Sequence, residues 1–112
     1  DLKDCFDLEK AAQQILRNGA RVVIVTQGEK GAFLALPSQV RAIPGFKVEP
    51  VDTTAAGDAF NGGLAVALSR GEDMAFAVRY ACAVGALAVT RLGAQPSLPT
   101  AAEVDVFLRS RI

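Results

Sequence analysis

Apolar residues along this chain repeat first at helical spacing, then as one continuous run, then in short bursts, and finally at helical spacing again. Residues 7 to 18 place Leu8, Ala11, Ala12, Ile15 and Leu16 on one face of a predicted helix, with Asp7 as N-cap and Glu9 at its positive end. Asn18-Gly19 supplies the stop. The β-branched run from Arg21 to Thr26 then reads as a strand buried on both faces of a sheet, so helix and strand together make half of an α/β repeat.

Beyond a tight turn at Gln27-Gly28-Glu29-Lys30-Gly31, two short strands are predicted over Ala32 to Leu36 and Val40 to Ile43, split by Pro37-Ser38-Gln39. Pro44-Gly45 breaks the chain before a brief Phe46 to Glu49 segment. Short strands without intervening helices imply an antiparallel edge on an otherwise parallel sheet. From Gly57 the pattern is helical, with Phe60, Leu64, Ala67 and Leu68 in one core stripe that ends near Arg70-Gly71. Glu72-Asp73 opens a second helix to about Thr90, crowded with Ala and carrying Gly85, small enough to lie against another backbone or a flat ligand. After a loop with Pro96 and Pro99, Thr100-Ala101-Ala102-Glu103 is a capping box for a last helix with Val104, Phe107 and Leu108 inward.

The 112 residues fit one structural unit, residues 1–112, with no repeat, low-complexity tract or linker. Basic and acidic side chains balance, 12 of each, which argues against nucleic acid or an anionic membrane as partner. No apolar run approaches the ~20 residues that span a bilayer, and the first residues are not laid out as a signal peptide, so cytoplasm is expected. Cys5 and Cys82 lie in no metal-ligand spacing and are expected to be free thiols. Histidine is absent altogether, which leaves acid–base chemistry to carboxylates, Lys, Tyr80 or Cys.

Against that background one stretch stands out, Val51-Asp52-Thr53-Thr54-Ala55-Ala56-Gly57-Asp58-Ala59-Phe60-Asn61-Gly62-Gly63. Small residues ending at Gly57 let backbone N–H groups face a ligand, and the helix that opens there aims its positive end at the same place. Asp58 sits where a carboxylate could take a proton from a hydroxyl held at that site. A lone Gly-Asp before a helix reads first as a helix-capping Asp58, and Asp52 with Thr53 as a turn closed by side-chain hydrogen bonds.

This stretch resembles the second signature of the ribokinase (PfkB) family of carbohydrate kinases, with Ala55 where many members carry Gly. The likeness continues through Asn18-Gly19, Thr26-Gln27-Gly28 to Gly31, and Val89-Thr90-Arg91-Leu92-Gly93-Ala94-Gln95-Pro96-Ser97, whose Gly-Ala-Gln-Pro-Ser loop points to the ribokinase branch. The resemblance implies the C-terminal part of a three-layer α/β/α sandwich: a parallel strand, antiparallel edge strands, then packed helices. It implies an ATP-dependent kinase for a sugar primary hydroxyl, D-ribose first, with fructose, 2-keto-3-deoxygluconate or a nucleoside as other acceptors.

By the same resemblance Asp58 is the catalytic base, and Ala55, Ala56 and Gly57 form an anion hole. Thr26, Gly28, Lys30, Gly31, Gly57 and Cys82 line the nucleotide, although a cysteine in an Ala-rich helix is also ordinary packing. Asp52, Thr54, Ala88, Arg91, Gly93 and Ser97 match positions for an activating monovalent cation, K⁺, beside Mg²⁺ carried with ATP. Family members are much longer, and their sugar-binding N-terminal part, lid and Asn-x-x-Glu motif have no counterpart here: Asn18 is followed by Gly-Ala-Arg and Asn61 by Gly-Gly-Leu. The resemblance therefore implies a nucleotide-binding and catalytic part without the sugar-binding part, and a homodimer for the complete protein. A chain of this extent expressed alone is expected to self-associate through exposed edge and apolar surface, and to hold nucleotide without turnover unless it is active by itself.

Overall fold

In the computed structural model, residues 2–91 and 99–111 are described, with side chains from residue 9 onward. The order is α1 (Leu2–Arg17), β1 (Val23–Thr26), a single 3₁₀ turn (Gly28–Lys30), β2 (Gly31–Leu36), β3 (Gln39–Pro44), α2 (Ala56–Ser69), α3 (Met74–Val89) and α4 (Ala101–Ser110).

α1 begins at Leu2, well before the expected cap at Asp7, and ends where expected: the Gly19 N–H reaches the Leu16 carbonyl at 3.1 Å with Gly19 at φ 110°. Of its predicted apolar face Ala12 is buried and Leu16 half-buried, while Ala11 is exposed and Ile15 is 50% exposed. Leu8 lies outside the described side chains.

β1, β2 and β3 form one antiparallel sheet in that order, with Ile24 opposite Leu34 and Ala32 opposite Ile43. The strand expected to be parallel and doubly buried pairs, among the described residues, only with β2, and it is half-buried. An outer strand leaves one row of backbone groups and part of each face uncovered, so a β-branched run alone did not fix its depth. Along β2 the side chains alternate. Ala32 and Leu34 pack with Ile43 against Phe60, Val78 and Ala81 of α2 and α3, while Phe33 and Ala35 turn to the other face, where α1 lies. The layers are thus α1, sheet, and the α2–α3 pair, with α4 against α3.

Ala59, Phe60, Gly63 and Ala67 form the buried face of α2; Leu68, predicted in the core stripe, is 39% exposed. The helix has turned so that Gly63 meets α3. A Cβ at Gly63 would lie 2.7 Å from Val84 Cγ2 and 3.3 Å from Ala81 Cα, so α2 and α3 touch almost backbone to backbone. Gly63→Val is expected to cost about 1–3 kcal/mol by overpacking this seam, to be read from urea unfolding; a change near zero would mean that the seam opens freely.

α3 is capped by Asp73, whose Oδ1 accepts the Phe76 N–H at 2.8 Å. At α4 the predicted capping box is formed, the Glu103 N–H donating to Thr100 Oγ1 at 3.2 Å and the Thr100 N–H to Glu103 Oε1 at 3.0 Å. Val104 and Phe107 point inward. Residues 45–50 form no strand, yet Phe46 is core: its ring meets Phe107 edge-on at 5.1 Å, and the Arg79 guanidinium lies 4.9 Å over it.

Candidate active site

The backbone breaks that the sequence showed as glycines converge on one cavity. Gly31, at φ 102°, and Gly45 cross so closely that a Cβ on Gly31 would lie 2.0 Å from the Ile43 carbonyl oxygen, and one on Gly45 would lie 2.3 Å from that of Glu29. This crossing folds the turn after β1 back on itself, with the Gln27 N–H bonded to the Gly31 carbonyl at 2.8 Å. The turn becomes one lip of a cavity of about 430 Å³ whose other walls are residues 46–50, the start of α2 and the second half of α3.

Six expected site residues line this cavity: Thr26, Gly28, Gly31, Ala56, Gly57 and Cys82. Lys30, Ala55 and Asp58 do not form its wall. Lys30 is exposed, Ala55 is the buried N-cap of α2, and Asp58 is exposed in the first turn, one residue past Gly57. Asp58 is therefore not the capping residue. Ala55 holds that position and makes no side-chain cap, so the first-turn N–H groups of α2 have no side-chain acceptor from their own cap. The Ala56 N–H is turned to the Thr53 carbonyl at 3.3 Å, while Gly57 stands on the cavity wall. A Cβ at Gly57 would meet nothing within 4 Å, and its φ is not positive. Neither packing nor backbone strain requires that glycine, and the space beside it at the helix end is open.

Several lining residues escaped the sequence reading. Phe60, taken as core only, has one side on the cavity, as do Phe46 and Val48. Gly85 and Ala86 of α3 also face it, and a Cβ at Gly85 would sit 3.5 Å from the Ala56 carbonyl oxygen. The small-residue run in α3 was the signal for that wall. A wider groove of about 530 Å³ between β3 and the start of α3 contains none of the expected site residues.

Cys82 is a free, half-buried thiol; Cys5 lies outside the described side chains. Burial pushes the Cys82 thiol up to about 11, with Arg79 pulling the other way. It is thus protonated at neutral pH. Its alkylation by iodoacetamide at pH 8 should be on the order of 100-fold slower than that of an ordinary thiol, rising only as pH approaches 11 and slowing further when nucleotide fills the cavity. Peptide mapping by mass spectrometry reads this, and rapid labelling at pH 8 would show an activated thiol instead.

The expected cation ligands are partly within the description. Asp52 Oδ1 accepts the Thr54 N–H at 2.9 Å and the Thr54 hydroxyl at 2.5 Å, so the turn that Asp52 could form by itself is formed, with Thr54 rather than Thr53. The Val51 and Asp52 N–H groups both donate to the Val89 carbonyl, at 2.6 and 3.0 Å. Asp52 is therefore anchored at the negative end of α3, a place where one carboxylate beside helix-end carbonyls suits a cation. Ala88 is buried nearby in sequence, but its carbonyl accepts the Arg91 N–H at 3.2 Å, and the Arg91 side chain pairs with Glu103. Gly93 and Ser97 lie outside the described residues. Among the described residues no group of three or more His, Cys, Asp or Glu could hold a metal ion.

The model of the pfkB family carbohydrate kinases matches residues 2–101. The chain belongs to this family. The ribokinase of Haemophilus influenzae is 43% identical over 99 residues, 88% of this chain and 32% of that protein. The crystal structure of the Thermotoga maritima ribokinase superposes with a TM-score of 0.87 at 50% identity, over 90% of this chain and 34% of that one. A fructokinase double mutant from Vibrio cholerae O395, solved with fructose, ADP and potassium ion, gives 0.83 at 40% identity over 89% and 34%. This pfkB chain spans about a third of the length of these relatives, and both ribokinases and fructokinases stand among them. No described helix of the pfkB chain is long and apolar enough to cross a membrane.

Proposed function

We propose that this chain is the nucleotide-binding and catalytic part of a cytoplasmic, homodimeric sugar kinase that moves the γ-phosphoryl group of ATP to a primary hydroxyl, with D-ribose as the first acceptor to test. Fructose and nucleosides are the competing acceptors, since the sugar-binding part lies outside this chain. The observation that carries the reading is the N-terminus of α2, where a glycine required by neither packing nor strain faces the cavity one residue before an exposed carboxylate.

In this reading the nucleotide lies in the cavity between the Gly28–Gly31 turn and α3, with its phosphates toward α2. Asp58 accepts the proton of the sugar hydroxyl, the freed oxygen bonds to the γ-phosphorus, and the bond from that phosphorus to the departing ADP oxygen breaks. Charge on the transferring group meets N–H groups and the positive end of α2. Mg²⁺ supplies charge neutralisation on the phosphates and K⁺ supplies a fixed positive charge; Asp52, Thr54 and the end of α3 are the described residues suited to the latter. Asp52 thereby holds the turn leading into the helix, while Asp58 does the proton transfer.

The test is ADP release by the full-length protein with ATP, Mg²⁺, K⁺ and D-ribose, compared with D-fructose and adenosine. Release with ribose at a kcat/KM at least about tenfold above the others supports the assignment. ATP binding by calorimetry without release for any acceptor would leave a nucleotide-binding module only.

A further inference from the structure

We infer that Glu103 is a positioning residue: through Arg91 and the end of α3 it sets the Asp52 turn from which α2, and with it the candidate phosphate site, begins. A run of bonded groups joins Glu103 to the Asp52 turn. Glu103 uses its two oxygens for different neighbours, Oε1 accepting the Thr100 N–H at 3.0 Å to cap α4 and Oε2 pairing with Arg91 Nη2. Arg91 closes the end of α3, its N–H donating to the Ala88 carbonyl at 3.2 Å. The carbonyl of Val89, the last residue of α3, takes both the Val51 and Asp52 N–H groups. Asp52 Oδ1 in turn holds Thr54, and the Thr53 carbonyl takes the Ala56 N–H in the first turn of α2. Thr53, Ala56 and Val89 all line the cavity.

The pair is partly exposed, so its contribution to stability is small and its effect is sought in geometry. The Arg91 and Glu103 side chains are 28% and 41% exposed, a setting in which ion pairs add little to folding. What the pair does is fix where the last turn of α3 points relative to α4. The Val89 carbonyl takes both bonds from the Asp52 turn at the last residue of α3, so the place where α3 ends sets where that turn is held. A shift of the α3 end is passed to residues 51–56, because two N–H groups of that segment share the one Val89 carbonyl and must follow it to keep both bonds.

The effect on turnover rests on the kinase reading; the effect on the turn does not. Glu103→Gln keeps a cap acceptor for Thr100 and removes the charge that holds Arg91, and Arg91→Gln removes the same pair from the other side. In the full-length protein, amide exchange at Val51 and Asp52 should speed up about tenfold or more in each variant, with β2 and β3 amides unchanged. The double variant should be no worse than either single one, since both cut one path. kcat should fall about three- to tenfold with the KM for sugar nearly constant. Unchanged exchange at Val51 and Asp52 overturns the inference, and so does an acceleration spread evenly over the molecule, which would mark simple destabilisation. Should either glutamine variant fail to fold, Arg91→Lys, which keeps the charge and loses the planar fork, is read by the same amides. Because exchange needs no turnover, a wild-type protein without kinase activity defeats the proposed function and leaves this test standing.

Discussion

Asp58→Asn in the full-length protein is expected to lower kcat for sugar phosphorylation by about 10²- to 10⁴-fold while leaving ATP affinity nearly as it was. The substitution keeps the shape and hydrogen-bonding capacity of the side chain and removes only its ability to take a proton. Asp58 is exposed and is not the cap of α2, so the protein loses little else: a carboxylate in the first turn of a helix contributes about 0.3–1 kcal/mol through the dipole. Nor is Asp58 part of the cavity wall, so nucleotide contacts stay in place. Sugar-dependent ADP release gives kcat, and calorimetry with ATP gives the binding constant. A variant that turns over at the wild-type rate would remove Asp58 from the chemistry, and one that loses ATP binding together with rate would make it a binding residue.

Gly31→Ala should act through the fold. Its Cβ would lie 2.0 Å from the Ile43 carbonyl oxygen, 2.5 Å from the Gly45 nitrogen and 2.7 Å from the Pro44 carbonyl carbon, all of them backbone atoms that cannot swing aside. The φ of 102° adds conformational strain. Overpacking of about 1–3 kcal/mol and strain of similar size together give a loss of about 2–6 kcal/mol, large against the roughly 5–15 kcal/mol of a typical domain. Urea unfolding of the full-length protein measures it. Because the crossing of Gly31 with Gly45 forms the cavity lip, ATP affinity should fall as well, even below the midpoint of unfolding. By contrast, Gly57→Ala meets no atom of the chain within 4 Å and should leave stability nearly intact while weakening nucleotide binding. A fall in stability for Gly57→Ala as large as that for Gly31→Ala would mean that both glycines are structural.

The sequence was most legible where a local pattern has one physical solution. The capping box at Thr100 and Glu103, the stop at Asn18-Gly19 and the hairpin through Pro37-Ser38 all formed where read, because each is decided within a few residues. The motif from Asp52 to Asp58 was legible for the same reason, and the turn at Asp52 and the open helix end at Gly57 appear as its residues imply. What depends on neighbours was not legible. β1 looked doubly buried because Val and Ile favour that state, but depth is set by the strands beside it. Leu68 matched the helical period and is exposed, since Gly63 rotated the contact toward α3. Phe46 stood in a segment without periodicity, so nothing local showed that it would join α4 to the cavity.

Where α2 meets α3, Gly63 lies against Ala81 and Val84, and many of the buried neighbours on the two helices, Ala59, Ala67, Ala77 and Ala83, have no rotamers to lose. Ordering this contact costs backbone entropy and little side-chain entropy. The close packing of the two helices sets the spacing between the helix end at Gly57 and the wall at Gly85, where a Cβ would lie 3.5 Å from the Ala56 carbonyl oxygen. The ordering cost of that part of the site is met when the chain folds, and a ligand arriving later is asked only to settle the loops.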